Sequence, residues 1–312
     1  MPAAPRPAWI LPAAFIGLGL IWGSSFAWIK IAVEEIPPAT LVAWRMTLGA
    51  IGMVGLLVIL RGVPMPRGMR EWLPLVVMGA VNAAIPIFLI SWGEQFVDSG
   101  TAAVLNSLVP IFSLIIAGLM LRTEPVTALR VGGLVLGFIG AALLASRELE
   151  LRADSSGLLG ALAVVLAAIS YAVGVSYARH RIKSTHRYVV AAGTLVFAAI
   201  DMWVLALLID GGIVIPSQLD TIVAIVWLGI LGSFIAYVLF FFLIEHLGAT
   251  MAAMVTYLFP VVGVAIGVVL LGERLDARLT LGTLLVLIGI AVVSLRFDPR
   301  VLVRLRRGTT AQ

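Results

Sequence analysis

Three prolines lie inside long apolar stretches, and a polar residue stands four positions before each of them. Proline removes the hydrogen bond to the carbonyl four residues back and usually kinks a helix. In lipid, a carbonyl freed in this way has to face a cavity or find a partner on a neighbouring helix. We therefore expect either cavity-lining polar groups beside proline hinges, or kinks that only shape the packing. The pairs are Asn82 with Pro86, Asn106 with Pro110, and Thr256 with Pro260.

Aromatic and hydroxyl side chains form a second group of candidates. Trp22 and Ser25 are three positions apart, and Ser233 and Tyr237 are four apart, so each pair shares a helix face. An apolar pocket with a few such groups suits a small amphiphilic ligand such as an amino acid. Alternatively, serine serves close helix packing, and tryptophan and tyrosine lie in interfacial belts. The predicted substrate-binding set is Trp22, Ser25, Asn82, Asn106, Ser170, Tyr171, Ser233, Tyr237, Thr256 and Tyr257.

Charged residues inside the apolar stretches are few, and such groups are functional candidates by default. We interpret Asp201 in one of two ways: its carboxylate couples transport to protons, or it has a structural role and is bonded to a neighbouring helix. Lys30 and Arg45 lie near the ends of their stretches, where we expect their side chains to extend to the membrane interface. Glu94 and Glu245 occupy matching turns, where they could cap helices or act as gates.

The composition requires a membrane to position these groups. The chain of 312 residues is 62% hydrophobic and 12% charged, with a mean hydropathy of +1.13, which excludes soluble globular and disordered classes. Cysteine is absent and the three histidines lack a metal-binding spacing, so we expect no metal and no cofactor. Apolar stretches of about 20 residues predict ten transmembrane helices. They span 9–30, 40–60, 72–93, 100–121, 127–146, 157–178, 188–209, 221–244, 249–271 and 279–297.

Lysine and arginine concentrate in alternate loops, which by the positive-inside rule places both termini in the cytoplasm. The order of glutamate, tight turn, apolar helix with proline, and acidic loop occurs twice, in 94–124 and 245–274. Because five is an odd number of helices, the second copy of a five-helix unit enters the membrane from the side opposite to the first. In transporters with such inverted repeats, the substrate site lies near the midplane of the membrane, between the repeats. We expect repeats at 1–150 and 151–297 and a basic cytoplasmic tail at 298–312.

The sequence resembles the EamA family of the drug/metabolite transporter superfamily over nearly the whole chain. The matching motifs are Ile21-Trp-Gly-Ser-Ser-Phe26 with Lys30, Pro37-Pro38 with Arg45, Pro110 with Glu124, and Pro260 with Leu271-Gly-Glu273. The resemblance implies ten helices in two inverted repeats and the export of small metabolites, including aromatic amino acids in some members. The first repeat ends Leu121-Arg-Thr-Glu124 rather than Leu-Gly-Glu, and Ser170-Tyr171 stands where helix one has Trp22-Gly23. A strictly symmetric site is therefore not expected.

Together these patterns predict an all-α membrane protein that is a secondary exporter of small metabolites, most of all amino acids, in the bacterial inner membrane. The protein would work by alternating access, with a small-molecule substrate and the lipid bilayer as its partners. We expect no nucleic acid and no obligate protein partner. The alternative is export of drugs or lipophilic cations. A channel or a membrane enzyme fits less well, because no charge-lined helix and no catalytic motif occurs in the sequence.

Overall fold

The computed structural model describes residues 9–120, 127–151, 155–182 and 185–294, apart from the side chains at 119–120 and 249–250. Glu124 and the basic tail at 298–312 lie outside the described residues. Within the described ranges, ten helices are long and apolar enough to cross a membrane, and no strand occurs. They are α1 Ile10–Ala32, α2 Pro38–Leu60, α3 Met69–Gly93, α4 Ser99–Gly118, α5 Ala128–Leu151, α6 Ser156–Arg181, α7 Arg187–Ile209, α8 Leu219–Gly248, α9 Met251–Leu271 and α10 Ala277–Ser294. The predicted all-α membrane fold is confirmed.

Apolar side chains cover the outer surface of the bundle, which in a soluble protein would be in contact with water. Val269, Ile59 and Leu208 are among the large hydrophobic residues most exposed on this surface. Since lipid is as apolar as leucine, the helices associate through close packing of small residues rather than through burial of apolar surface. On α5, a Cβ added at Gly133 would lie 2.9 Å from the carbonyl oxygen of Gly289 on α10, so these two backbones touch.

The packing of the helices follows a two-fold relation between the repeats. If each helix of the first half is exchanged with the helix five places later, the pairs α5–α10, α2–α7 and α4–α9 map onto themselves. Three further sets of extensive contacts come as images of one another: α3–α6 with α8–α1, α1–α9 with α6–α4, and α2–α8 with α7–α3. This is the packing expected of two inverted five-helix repeats.

One departure from the two-fold relation opens the bundle. Helix α4 also packs against α1 and α10, but the equivalent contacts of α9 with α6 and α5 are slight or absent among the described residues. A gap therefore lies beside α9, between α9, α5 and α6, whereas α4 packs against α1 and α10 at the equivalent place.

The two ends of the bundle differ in charge. The odd-numbered helices begin at what we call the basic end, which carries Arg61, Arg67, Arg70, Arg130, Arg179 and Arg187. The even-numbered helices begin at the acidic end, which carries Glu34, Glu35, Glu94, Asp98, Glu148, Asp210, Asp220, Glu273 and Asp276.

Helical geometry changes just before each of the three prolines. In α3 a π-helical segment, Ala80–Ala84, precedes Pro86. In α4 the α-helix Ser99–Asn106 stops and resumes at Val109–Ile115, around Pro110. In α9 a 3-10 turn, Met254–Tyr257, precedes Pro260. A longer π-helical segment in α8, Trp227–Ile235, has no proline, and the sequence pattern did not signal it.

Candidate functional site

A cavity of about 450 Å³ lies at the centre of the bundle, between the two repeats. All ten helices contribute to its largely apolar wall. Towards the acidic end the lining stops at Ile29 and Ile90, about one turn before α1 and α3 end. At the basic end it includes Arg130, Arg179 and Ser294, from α5, α6 and α10. The cavity therefore opens towards the basic end, where the gap beside α9 lies.

Nine of the ten predicted substrate-binding residues line this cavity. They are Trp22, Ser25, Asn82, Asn106, Tyr171, Ser233, Tyr237, Thr256 and Tyr257. Ser170 is the exception, because its hydroxyl donates a 2.7 Å hydrogen bond to the carbonyl of Val81, inside the π-helical segment of α3. Among the predicted hinges, Pro110 lines the cavity, whereas Pro86 and Pro260 are buried in the packing around it.

Arg45 lies in the cavity wall, which corrects the expectation that it reaches the membrane interface. Its side chain is buried, and its Nε donates a 3.2 Å hydrogen bond to the hydroxyl of Ser233 on α8. That hydroxyl in turn donates to the carbonyl of Leu228, 3.0 Å away, within the π-helical segment of α8. A Cβ added to Gly232 would lie 3.3 Å from Oγ of Ser25 and 3.7 Å from Nη2 of Arg45, so the absent side chain leaves room between these two groups.

Aromatic and amide side chains surround this guanidinium. Tyr171 and Tyr237 both lie close enough to Arg45 to interact with its charge. The Tyr237 hydroxyl also interacts with Asn82, whose amide packs against α6 where Gly174 has no side chain. Groups predicted from three separate helices, α3, α6 and α8, therefore surround an arginine that the sequence pattern did not assign to the site.

An aromatic wall forms one side of the same cavity. The ring of Trp22 packs against Phe240 at 5.4 Å and against Phe259 at 6.0 Å between ring centroids. Its Nε1 donates to the carbonyl of Gly232 at 3.0 Å, which holds α1 against α8. The hydroxyl of Ser25 donates to Ile21 in its own helix. Trp22 thus contributes an apolar ring to the cavity wall, because Nε1, the one polar atom of its side chain, already has a hydrogen-bond partner.

Three polar side chains of the cavity wall, one on α4 and two on α9, differ in whether they have hydrogen-bond partners. Asn106 is 6% exposed, and its Oδ1 has no hydrogen-bond partner among the described residues. Tyr257 is hydrogen-bonded through its hydroxyl to Ser294 of α10, and Thr256 donates to Ala253 in its own turn. Asn106 therefore lines the cavity with a buried acceptor that is unsatisfied among the described residues.

Asp201 does not line the cavity. It lies on α7, where its Oδ2 is buried without a hydrogen-bond partner among the described residues. Neither of the two interpretations from the sequence is tested by this position. The carboxylate does, however, lie apart from the groups that would touch a substrate.

Charged side chains close the acidic end, and we call this group the acidic-end seal: Asp98, Arg147, Glu148, Glu273 and Asp276. Glu273 accepts hydrogen bonds from the backbone amides of Ser99 and Gly100 at 2.6 and 3.0 Å, at the start of α4. Arg147 forms ion pairs with Asp98 at 2.9 Å, with Glu148 at 2.7 Å and with Asp276 at 2.6 Å. The seal thus joins α4 and α5 of the first repeat to the α9–α10 connection of the second.

The electrostatics of the seal follow from these bonds. Burial acts to raise the pKa of Asp276, but hydrogen bonds from the Leu279 amide and from Arg147 outweigh it and hold the pKa below its usual value. Asp276 is therefore a carboxylate at neutral pH, which keeps its ion pair with Arg147 intact.

Glu94 and Lys30 lie beneath this seal. Lys30 donates through Nζ to the backbone carbonyls of Glu94 and Val97, at 2.6 and 2.8 Å, so it holds the α3–α4 turn instead of reaching the membrane interface. The Glu94 carboxylate is buried without a hydrogen-bond partner among the described residues, so it caps no helix. Burial raises its pKa well above the usual range, against the opposing charge of Lys30. Glu245 differs: it is half exposed and paired with Arg187 at 3.0 Å.

Arg45 could have been found in the sequence by treating every intramembrane arginine as a functional candidate. Its place near the predicted end of α2 favoured the interface instead. Arg147 and Glu273 lie just past the ends of their predicted helices, and the bonds that join them to the other repeat, to Asp276 and to the Ser99 amide, span distant parts of the chain.

Relatives of the chain carry transporter names. It is 26% identical over 288 residues to the uncharacterized transporter YoaV of Bacillus subtilis, covering 91% of this chain and 97% of that protein. It is 28% identical over 270 residues to the uncharacterized inner membrane transporter YedA of Escherichia coli K12, covering 84% and 83%. A probable terminal-alkyne amino-acid exporter of Streptantibioticus cattleyicolor is 27% identical over 279 residues, covering 88% and 90%.

The fold also has a counterpart among solved structures. One crystal structure superimposes with a TM-score of 0.64 at 20% identity, over 91% of this chain and 96% of the other, which supports the fold alone. The family model for EamA-like transporters matches the chain twice, at residues 9–146 and 158–295. These two matches cover most of the sequence and agree with the two-fold packing of the helices. The chain is therefore a multi-pass membrane protein that belongs to the EamA-like transporter family.

Proposed function

We propose that this protein exports small metabolites, most of all amino acids including aromatic ones, across the bacterial inner membrane, with the basic end and both termini in the cytoplasm. The orientation rests on the concentration of arginine at the basic end, which the positive-inside rule places in the cytoplasm. The inner membrane is supported by the name of the relative from Escherichia coli, and amino-acid export by the name of the Streptantibioticus relative. Neither a cofactor nor an enzymatic step is part of the proposal.

The observation that carries the proposal is a central cavity open at one end and closed by ion pairs at the other. This is the arrangement expected of a carrier in its inward-open state. The two-fold relation between the repeats defines the opposite state, in which α9 closes against α5 and α6 while α4 separates from α1 and α10. The repeats proposed at 1–150 and 151–297 would rock about the helix irregularities at Pro86, Pro110 and Pro260.

Export of drugs or lipophilic cations is the competing function. A cation site inside a membrane needs a nearby anionic group to compensate the charge. Within the described residues, the cavity wall contains neither aspartate nor glutamate. The lining therefore favours a zwitterionic or anionic substrate.

Counterflow in proteoliposomes tests the proposal. Vesicles loaded with unlabelled threonine, methionine, phenylalanine or tryptophan are diluted into the labelled amino acid, with protein-free liposomes as the control. We expect saturable, transiently concentrative uptake, and the order of competition would report the size of the pocket. Flux that neither saturates nor shows counterflow would indicate a channel. Exchange of tetraphenylphosphonium, with none of the amino acids, would support the cation exporter instead.

A further inference from the structure

We infer that Arg45 is a carboxylate-binding residue of the central cavity, so that the transported molecules carry a carboxylate. This inference rests on the proposed export function and specifies the substrate class of the same cavity. Arg45 is 6% exposed and lines the cavity, so its charge lies in the wall of the transport path.

The pairing of Arg45 leaves its charge without an adjacent counter-ion. Among the described residues its one hydrogen bond is from Nε to the neutral hydroxyl of Ser233, and no carboxylate lies within ion-pair distance. The acidic group that acts on it, Glu94, does so from outside the cavity lining. A buried charge without a partner is costly, and a ligand anion would remove that cost.

The charged side chains that the described residues contribute to the cavity lining all have the same sign. Arg45 lies in the wall, and Arg130 and Arg179 lie where the cavity opens at the basic end. A cleft lined by one sign of charge with apolar walls attracts ligands of opposite charge and raises their local concentration. An anionic group entering from the basic end would pass two arginines before it reaches Arg45.

The neighbours of Arg45 suit a bound carboxylate. A guanidinium binds carboxylates through paired, charge-assisted hydrogen bonds, and the absent side chain at Gly232 leaves space beside Nη2. Tyr171 and Tyr237 also line the cavity within electrostatic range of Arg45, and their hydroxyl groups supply further hydrogen-bond donors for an anionic ligand. The rest of the substrate would then face the aromatic wall that contains Trp22.

The experiment compares ligands that differ only in the carboxylate. In counterflow with labelled phenylalanine, the competitors are phenylalanine, its carboxamide and phenylethylamine. They are applied to the wild-type protein, Arg45→Gln, Arg45→Lys and the control Arg70→Gln, which removes the same charge from an exposed site at the basic end. The same ligands are tested for thermal stabilisation of each purified variant, which also shows whether the variant folds.

In the wild-type protein and in Arg70→Gln, we expect phenylalanine to compete on the order of 10-fold better than the two analogues. In Arg45→Gln this preference should fall to about 2-fold or less, with Arg45→Lys in between because it keeps the charge but not the paired donors. A purely structural Arg45 would lower transport of all competitors together and leave the preference unchanged.

The outcomes separate this inference from the proposed function. Amino-acid exchange with the same carboxylate preference in Arg45→Gln would overturn the inference and leave the function standing. Exchange of phenylpropanoate in place of amino acids would refute amino-acid export and support Arg45 as the carboxylate site. Protein-dependent transport of tetraphenylphosphonium that no carboxylate inhibits would overturn both. Absence of exchange together with absence of carboxylate-specific stabilisation would also overturn the inference.

Discussion

Glu273 of the second repeat lies with its Oε1 2.6 Å from the amide nitrogen of Ser99 in the first repeat, 174 residues earlier in the chain. Its Oε2 accepts from the next amide, that of Gly100, at 3.0 Å. The carboxylate therefore satisfies the free N–H groups at the start of α4, where the helix dipole also favours a negative charge. In the proposed alternation, α4 separates from α1 and α10 when the acidic end opens, so we expect this bond to favour the state in which that end is closed.

Replacing Glu273 with alanine should shift the protein towards the state open at the acidic end. Loss of a carboxylate at a helix start costs about 1 kcal/mol, or roughly a 5-fold change in population. The chain has no cysteine, so Ile90→Cys in the cavity lining gives a single labelling site. We expect a membrane-impermeant maleimide added outside cells to label this cysteine several-fold faster when Glu273→Ala is present. Glu245→Ala, at the basic end, is the control, and equal labelling in all three backgrounds would contradict the role of Glu273.

The Glu35 carboxylate should make the melting temperature of the protein depend on pH in the acidic range. Hydrogen bonds from the side chains of Ser217 and Thr221 and from the Ser217 amide lower its pKa from the ordinary 4.5 to about 2. A carboxyl group with a lowered folded-state pKa stabilises the protein above the unfolded pKa and loses that contribution as pH falls through the folded value. The melting temperature of the wild-type protein should exceed that of Glu35→Gln at pH 7, and the difference should shrink below about pH 4.5. A difference independent of pH would show that the charge is not responsible.

Asn106 provides a test in which binding and stability change in opposite directions. Its buried Oδ1 has no partner among the described residues, so Asn106→Leu removes an unsatisfied acceptor. We expect a melting temperature equal to or above the wild-type value without substrate, and a KM for exchange raised on the order of 10-fold. Thr283→Val is the matched control, since its hydroxyl is also buried and unpartnered among the described residues but does not line the cavity. A lower melting temperature with unchanged KM would indicate a structural asparagine.

Asp201→Asn separates proton coupling from substrate binding. Because Asp201 does not line the cavity, exchange of substrate should continue at close to the wild-type rate. If its carboxylate carries the coupled proton, net uptake driven by a pH gradient across the vesicle membrane should be lost. Parallel measurements of exchange and of gradient-driven uptake check both parts. Gradient-driven uptake that persists in the variant would leave Asp201 with a structural role.

Two adjacent glycines of α5 give a matched pair for the interface with α10. A Cβ at Gly133 would lie 2.9 Å from the carbonyl oxygen of Gly289, whereas a Cβ at Gly132 would meet nothing within 4 Å. Gly133→Ala should therefore separate the helices and lower stability by about 1–3 kcal/mol. Gly132→Ala should be neutral or slightly stabilising, because alanine favours a helix by up to about 1 kcal/mol over glycine. Thermal denaturation in detergent compares the two, and equal effects would argue against close contact.

Much of the candidate site could be predicted from the sequence, since local spacing decides which side chains share a helix face. Asn82, Asn106 and Thr256 stand out because a proline four residues later disturbs the helix at each of them, and all three line the cavity. The same argument cannot separate Ser170 from its neighbour Tyr171. Only the packing of α6 against α3 shows that the serine bonds to Val81 while the tyrosine faces the cavity.

The sequence by itself determined the membrane fold, the ten helices and their duplication, because the length of each apolar stretch and the repeated order of polar signals are local properties. The tertiary structure alone decided which end of the cavity is closed and what charge lies inside it. The bond from Glu273 to Ser99 and the burial of Arg45 beside Ser233 both join residues more than 170 positions apart. No periodicity along the chain encodes such contacts, since they exist only once the two repeats pack against each other.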